Sequence, residues 1–529
     1  MNKFLNRANK RASLGNAAAL LIVISLLGQV LGFLRYKMVN ANFPPIGPQS
    51  TDAYFAAFKI PDFFFFTLAA GALGVAFMPI LSDHLSKGDK KGVWELSNSL
   101  LNLMAILMAI VGVIIIVFAR PILHNIVAPA LPPAQLNNAV TIMRIIAFNP
   151  MLFAISGVLT SVQQTYGRFF FYAMAPIGYN IAIIISIFVF RNNIGIVGLG
   201  IGAMVGAVLQ LLVVLFGLPG ISFRWRPKIM WRSSDFRLIL RQLPPRSVDQ
   251  GIDSINSIVE TNLAARIGLG NISYYENAYI LGTTPVLLVG TAIATAAFPR
   301  LNERLSQGRP DLFRNEFLKI LRVMIWIAAP MTIICYFARG YFARLIYTTS
   351  APQIALIFGF LAGAIFFRTL YAIISRWFYA QKDTVTPLLV SIFAIALNIY
   401  LAVTLSRPTA YGIAGLAMAQ SIVAFAEVTI LFGVMLYRDP KLFNKKFWGG
   451  VLRIVSVTGF SLLAAYTMIT LLPLTLGDKG FITLGVKVGA IVAVTFGVHV
   501  YVSWLFGLEE VGPVIRKVRG IISSTVRVQ

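Results

Sequence analysis

A stripe of polar residues runs along one face of a helix predicted near residues 244–268. Positions i, i+4, i+7 and i+11 share one helical face, and here they hold Asp249, Asp253, Asn256 and Glu260. An ionisable side chain is costly inside a membrane, so it faces protein or water and is a functional candidate. Such a stripe can bind a monovalent cation or relay a proton. The alternative is a structural ion-pair network with Arg246 and Arg266, which bracket the stripe.

A cation near the end of an early apolar run is the second candidate. The segment QVLGFLRYK, residues 29–37, closes a run that begins near Ser13, and it contains Arg35. The distribution of charge along the chain, described below, puts this end on the outer side of the membrane, where positive charge is scarce. One interpretation is an anchor that reaches the outer headgroups, and the other is a functional group. Arg144 and Arg368 are further single cations in apolar stretches.

Asp52 lies at the outer end of the next predicted helix. Ser50, Thr51 and Asp52 are all suited to cap that helix. Deeper in the same helix, Lys59 and Asp62 are spaced to pair with each other at i, i+3. Asp52 therefore has two interpretations, a helix cap and a member of a functional site.

Membrane-spanning helices must position these residues. The chain has 529 residues, of which 58% are hydrophobic and 12% charged, whereas soluble domains carry about 25% charged residues. Apolar stretches of about 20 residues, enough to cross a hydrocarbon core of about 30 Å, recur from end to end. We therefore expect an all-α polytopic membrane protein. Its fourteen predicted spans lie near 13–35, 51–81, 92–119, 139–163, 169–190, 194–218, 244–268, 271–299, 314–338, 353–377, 384–405, 410–437, 448–473 and 482–507.

Lys and Arg concentrate at both termini and in the loops that follow even-numbered spans. Because such residues are retained on the cytoplasmic side, both termini are predicted to be cytoplasmic. The basic start of the chain precedes a long apolar run without a clear cleavage site, which favours a retained first helix over a signal peptide. The net charge of +26 is spread over short loops, so nucleic acid is not an expected partner.

Two segments 220 residues apart indicate an internal repeat. PILSDHLSKGD at 79–89 matches PRLNERLSQGR at 299–309, and QQTYGRFFFYAMAP at 163–176 is echoed more loosely by FYAQKDTVTP at 378–387. Spans 1–6 and 7–12 then form parallel halves, an arrangement in which transporters hold substrate between the halves. The predicted organisation is an N-lobe at 1–218, a basic amphipathic cytoplasmic linker at 219–243, a C-lobe at 244–440, and spans 13 and 14 with a basic tail at 441–529.

Signals of catalysis and of metal binding are weak in the sequence. No Ser-His-Asp order, HExxH or GxxxxGK[ST] motif occurs, so we expect a protein that is not an enzyme. Cys335 is the only cysteine and the three histidines are far apart, which argues against a metal centre. Without an ATPase motif, transport would be driven by an ion gradient, the membrane potential or the gradient of the substrate.

The stretch GFLRYK, followed by TDAYFAAFKIPD and AAGALGVAFMPIL, resembles the MviN/MurJ family of lipid II flippases, within the multidrug/oligosaccharidyl-lipid/polysaccharide exporter superfamily. Residues 28–36 match part of the first-helix pattern S-R-x-x-G-x-x-R-D, and residues 52–62 match D-A-F/Y-F-x-A-F-x-x-P-N. The resemblance covers nearly the whole chain. It implies a bacterial inner-membrane carrier with a V-shaped cavity between two lobes and a groove at spans 13 and 14 for a polyprenyl tail.

Several cations of the family pattern are missing. Gln29 replaces the first arginine, Phe65 and Phe66 replace a pair, and span 8 has no arginine between residues 271 and 285. Of the cations that the resemblance assigns to the pyrophosphate, only Arg35 is matched. Arginine suits that role because its planar fork donates two hydrogen bonds to phosphate oxygens.

The family also resembles sodium-coupled carriers. Glu260 falls at the family's V-D-T-like position and Asn398 matches an amide of span 11, but Ala402 stands where a second carboxylate is expected. Coupling to Na⁺ or H⁺ is therefore an expectation, with a monovalent cation at Glu260, and no other cofactor is expected.

The main hypothesis is a flippase that moves a polyprenyl-pyrophosphate-linked peptidoglycan precursor from the inner to the outer leaflet by alternating access. Its substrate-binding candidates are Arg35, Asp52, Arg246 and Arg266, and its cation-coupling candidates are Asp253, Glu260 and Asn398. The alternatives are a carrier of another polyprenyl-linked glycan and a cation-coupled multidrug exporter. We expect a monomer.

Overall fold

The computed structural model describes residues 14–70, 77–221, 223–347, 350–475, 477–478, 480–513 and 515–516, with side chains described outside 14–19, 22, 70 and 242–250. Over these residues the chain is helical and contains no β-strand. Its contacts divide it into two compact units, residues 1–273 and 274–529.

Within the described residues, the first unit contains nine α-helices and the first three residues of a tenth. The nine are α1 (Leu14–Asn42), α2 (Thr51–Phe64), α3 (Met78–Ser86), α4 (Lys90–Ile122), α5 (Pro133–Ile145), α6 (Asn149–Thr165), α7 (Phe170–Phe190), α8 (Val197–Leu215) and α9 (Ser234–Ile267). Its apolar core lies where α3, α4 and α6 meet the start of α9, around Leu81, Leu100, Val158 and Phe236.

The second unit contains the remaining helices. They are α10 (Asn271–Pro285), α11 (Ala292–Ser306), α12 (Pro310–Phe337), α13 (Arg339–Ile346), α14 (Ala351–Ala380), α15 (Val385–Leu405), α16 (Ile413–Arg438), α17 (Lys445–Leu471) and α18 (Phe481–Leu505). Its largest core joins α11, α12, α14 and α16 around Phe317 and Trp377. Helices α17 and α18 pack against each other and against α12.

Eleven helical stretches within the described residues are long and apolar enough to cross a membrane, by length and composition. They coincide with the eleven predicted spans from 92–119 through 482–507 other than 244–268. The other three predicted spans fall on α1, on α2 with the turn that follows it, and on α9. The expectation of an all-helical polytopic protein is confirmed.

The predicted linker at 219–243 consists of an irregular segment followed by the beginning of a helix. Residues 223–230 have no regular secondary structure and lie along α4, whose buried Asn98 and Asn102 bind their backbone. Asn98 donates to the carbonyl of Arg224 and accepts from the amide of Arg226, both at about 3 Å, and Asn102 donates to the carbonyl of Arg226 at 2.7 Å. From Ser234 onward, the chain belongs to the long helix α9.

The repeated L-S-x-G motifs fold in the same way. At both sites the chain leaves a helix through a glycine with positive φ, Gly88 at 76° and Gly308 at 66°, a conformation that glycine adopts without steric cost. The backbone N–H of Asp89 bonds the carbonyl of His84, and that of Arg309 bonds the carbonyl of Arg304. The two turns, which are 220 residues apart, therefore share this hydrogen bond as well as the sequence motif.

Among the described residues, a π-helical turn occurs near the start of each half of the chain, and a further one lies at Leu123–Val127. Phe65–Ala70 follows α2 and begins four residues after Pro61, whereas Val286–Thr291 follows α10 and begins directly after Pro285. Proline removes a backbone donor from the helical ladder, and π-helical turns occur frequently at functional sites.

Candidate functional site

Arg35 lies on α1 against two aromatic rings of the first unit. Its guanidinium carbon is 4.7 Å from the centre of the Tyr36 ring and 5.8 Å from that of Tyr179, which belongs to α7. The Nε atom of Arg35 is buried and has no hydrogen-bond partner among the described residues. Contacts of a cation with ring faces are favourable, and more so where water is excluded. Arg35 is therefore half-buried against two aromatic rings, and its role as a phosphate ligand stays a prediction.

Asp52 is buried and caps the beginning of α10. One carboxylate oxygen accepts the backbone N–H of Gly270 at 2.7 Å, and the other accepts the backbone N–H and the hydroxyl of Ser273 at 2.8 and 2.6 Å. Thr51 and Ser273 also share a hydroxyl–hydroxyl bond of 2.7 Å. These bonds account for a buried carboxylate, because its oxygens are satisfied and a helix N-terminus favours negative charge.

Helix α9 packs against α2 and its π-helical turn. Lys59 of α2 donates a hydrogen bond of 2.9 Å to the hydroxyl of Ser257. Nearer the start of α9, the backbone at Gly251 comes so close to Thr67 that a Cβ there would lie 2.9 Å from the threonine hydroxyl. Glycine allows this approach, which holds the polar stripe against the end of α2.

The polar stripe changes from exposed to buried along α9. Asp253 is exposed, whereas Asn256 is 9% and Glu260 is 4% exposed. The Nδ2 of Asn256 donates to Oε1 of Glu260 at 3.0 Å. Asp249 and Arg246 lie in α9, but their side chains fall outside the described part of the structure. Asn256 and Glu260 thus form a buried amide–carboxylate pair that can offer oxygen ligands to a small cation.

The other predicted site residues are spread over both units. Arg266 is exposed near the end of α9 and donates to Oδ1 of Asn262 at 2.8 Å. Asn398 is buried in α15, which packs against α16 in the second unit. Over the described residues, no group of three His, Cys, Asp or Glu side chains could hold a metal ion.

The sequence profile of the family described as Lipid II flippase MurJ matches residues 48–486. The chain belongs to the MurJ family. It is 24% identical over 431 residues to the probable lipid II flippase MurJ of Borreliella burgdorferi, covering 80% of this chain and 83% of that protein. It is 27% identical over 432 residues to the lipid II flippase MurJ of Burkholderia cenocepacia, covering 77% and 81%.

The fold agrees with family membership. A solved lipid II flippase MurJ in an inward closed conformation superposes with a TM-score of 0.76 at 21% identity, over 92% of this chain and 98% of that one. An inward-facing multidrug resistance MATE family transporter of the MOP superfamily gives a TM-score of 0.68 at 16% identity, over 80% of this chain and 98% of that one. The protein is accordingly a multi-pass protein of the bacterial inner membrane.

One polar group near span 8 of this MurJ-family chain was not predicted. Arg368 of α14, noted in the sequence only as a single cation, donates to the hydroxyl of Tyr279 at 3.2 Å and to the side-chain oxygen of Gln420. Tyr279 lies in the helix where the family pattern has an arginine and this chain has none. Residue spacing could not reveal this group, because its members come from three helices that are far apart in sequence.

Proposed function

We propose that this protein moves lipid II from the inner to the outer leaflet of the bacterial inner membrane by alternating access. The observation that carries the proposal is the family profile match over residues 48–486. The relatives reported above are named as a probable or established lipid II flippase, and flippases are transporters, so the same match supports a role other than catalysis.

Arg35 is the proposed principal ligand of the diphosphate. It is an arginine inside a predicted membrane span, and the rings of Tyr36 and Tyr179 hold its guanidinium in one place. A pre-positioned planar fork binds phosphate oxygens at a low cost in conformational entropy. The secondary candidates are Arg246, Arg266 and Asp52. Asp52 would act indirectly, by holding the start of α10 in position.

The proposed topology has fourteen spans with both termini in the cytoplasm. The eleven apolar helices, together with α1, α2 with its turn, and α9, give that number. The repeated glycine turns at Gly88 and Gly308 support two related six-helix lobes followed by the pair α17 and α18. We also propose a monomer that needs no organic cofactor.

Ion coupling is proposed at Glu260. Its burial beside Asn256 gives a carboxylate whose charge is favoured by a bound cation or removed by a proton. Asp253 would lie on the access route, because it is exposed one to two turns away on the same helix. Asn398, buried in α15, is a further proposed coupling residue. With these residues in those roles, Na⁺ or H⁺ is the proposed coupling ion.

Complementation provides the test. Cells depleted of their own flippase should regain growth and normal shape when this protein is expressed, and the Arg35→Ala variant should fail at equal abundance. If wild type gives no rescue although it reaches the membrane, the proposal is wrong for this protein.

A carrier of another polyprenyl-linked glycan is the alternative favoured by the missing family arginines, such as the one replaced by Gln29. Proteoliposomes loaded with labelled lipid-linked sugars would separate the two substrates. A cation-coupled multidrug exporter is favoured by the likeness to a MATE structure and by the buried Glu260. Dye efflux that disappears in Glu260→Gln would support an exporter.

A further inference from the structure

A cavity of about 360 Å³ lies within the second unit, among α10, α14, α16 and the π-helical turn after α10. This volume is within the range of about 300–1,000 Å³ that is typical of small-molecule sites. Its wall is mainly apolar and includes Val286, Leu287, Leu361 and Ile365. Its polar groups include Tyr279, Arg368 and Gln420.

The charged residue that lines this cavity is basic. Among the ten described lining residues none is acidic, and Arg368 is basic. A guanidinium inside a membrane span is costly, so its presence beside a cavity indicates a function for the charge. The cavity therefore favours an anionic group over a cationic or neutral one.

The arginine is held in place by the surrounding helices. Tyr279 and Gln420 each accept a hydrogen bond from a different terminal nitrogen of its guanidinium. The helix that carries Gln420 is fixed by its neighbour Ser421, whose hydroxyl bonds the carbonyl of Phe360 at 2.6 Å and the amide of Ala364 at 2.9 Å. A side chain held in this way is pre-organised for a ligand.

The fold does not require an arginine at this position. In the looser repeat, Lys382 and Gly167 are the corresponding turn residues, and both have positive φ. Arg368 lies fourteen residues before Lys382, and Phe153 of the first unit lies fourteen residues before Gly167. Phe153 packs edge-on against Phe65 and Tyr179. One half of the chain thus has an aromatic contact where the other has a cation beside a cavity.

We propose that this cavity binds a phosphate-bearing amphiphile, with the phosphate at Arg368 and the apolar chain along Val286 and Leu287. Leu287 is 49% exposed, which gives an apolar chain a route out of the unit. Such a ligand is either an anionic phospholipid or the lipid-linked substrate. If the ligand is the lipid-linked substrate, Arg368 is a further cation that contacts its phosphate, and the inference then rests on the proposed function.

Two variants test the site in different ways. Arg368→Gln removes the charge and keeps the polar contacts. Gly282→Leu keeps the charge and fills space, because a Cβ at Gly282 would meet Leu361 and Ile365 only at ordinary distances of 3.7–3.9 Å. Arg407→Gln is the matched control, since Arg407 is an exposed cation of the same unit outside the cavity.

The measurement is native mass spectrometry of the full-length protein titrated with phosphatidylglycerol, phosphatidylcholine or lipid II. Wild type and Arg407→Gln should bind at least one of the two anionic lipids about tenfold more tightly than Arg368→Gln and Gly282→Leu do, whereas phosphatidylcholine should not distinguish them. The affected lipid identifies the source of the phosphate.

The proposal is overturned if both cavity variants, monodisperse and with wild-type melting temperatures, bind phosphatidylglycerol and lipid II as wild type does. If one variant is misfolded, the other decides alone. If the cavity variants lose phosphatidylglycerol binding and wild type does not bind lipid II, the result supports the cavity site and contradicts the proposed flippase function. Failure of the cavity proposal can therefore be distinguished from failure of the flippase proposal.

Discussion

The carboxylate of Asp52 accepts both the backbone N–H and the hydroxyl of Ser273, two residues separated by 221 positions in the chain. The contact joins the beginning of α2 to the beginning of α10 and leaves Asp52 only 1% exposed. A carboxylate with this many donors stabilises the fold whether or not it also contacts a substrate.

Asp52→Ala should lower the melting temperature of the purified protein by several degrees. Each buried donor that loses its acceptor costs about 1–3 kcal/mol, and here Gly270 and Ser273 lose theirs. Ser273→Ala is the control, because it removes one hydroxyl and leaves the backbone contacts, so its effect should be smaller. Lower transport by Asp52→Ala at an unchanged melting temperature would instead identify Asp52 as a substrate ligand.

Arg35→Ala should reduce lipid II flipping in proteoliposomes about tenfold or more, and Arg35→Lys should recover only part of the loss. Lysine keeps the charge but lacks the planar fork that binds phosphate through two hydrogen bonds. Arg144→Ala is the matched control, since Arg144 is an exposed cation that bonds a backbone carbonyl at 3.0 Å. Equal rates for wild type and Arg35→Ala, at equal protein content, would exclude the predicted role.

Helical class and span positions were predictable because they depend on local composition. A stretch of about 20 apolar residues has few stable conformations in a bilayer other than a helix. The repeat was visible for a similar reason, since the turn at Gly88 needs a particular residue at a particular position, and Gly308 repeats it.

Long-range polar contacts were less predictable. Spacing put Asn256 and Glu260 on one helical face, and the structure pairs them, because both lie on the same helix. By contrast, Lys59 was expected to pair with Asp62, and the partner that the structure gives it from another helix is Ser257. No periodicity within a single segment carries information on which helices pack together.

Glu260→Gln should uncouple transport from its ion. The amide keeps the shape of the side chain and its contact with Asn256, but it cannot hold the charge that a cation or proton compensates. Flux measured under imposed Na⁺ and pH gradients should lose its dependence on one of them. Asp253→Asn should change the apparent ion affinity with less effect on the maximal rate, since Asp253 is exposed. Unchanged gradient dependence in Glu260→Gln would place the coupling site elsewhere.

His84 should make stability depend on pH outside the membrane spans. Burial alone would lower the pKa of His84, but hydrogen bonds of 2.9 Å to Asp89 and Asp235 raise it above its usual value. These bonds connect the turn after α3 with the first turn of α9. Lys87, which pairs with Asp83 at 2.6 Å, lies near Asp235, and Lys91 lies near Asp89.

The sign of the effect follows from the raised pKa. The charged imidazolium is favoured in the folded state, so its contribution is fully present below the unfolded pKa of about 6.5 and is lost as pH rises through the higher folded pKa. The melting temperature of wild type should therefore exceed that of His84→Gln most at low pH, and the difference should shrink as pH rises above about 6.5. Asp235→Asn should reduce this pH dependence, because it removes one of the two carboxylates. A difference that is constant with pH would show that His84 acts through neutral hydrogen bonds alone.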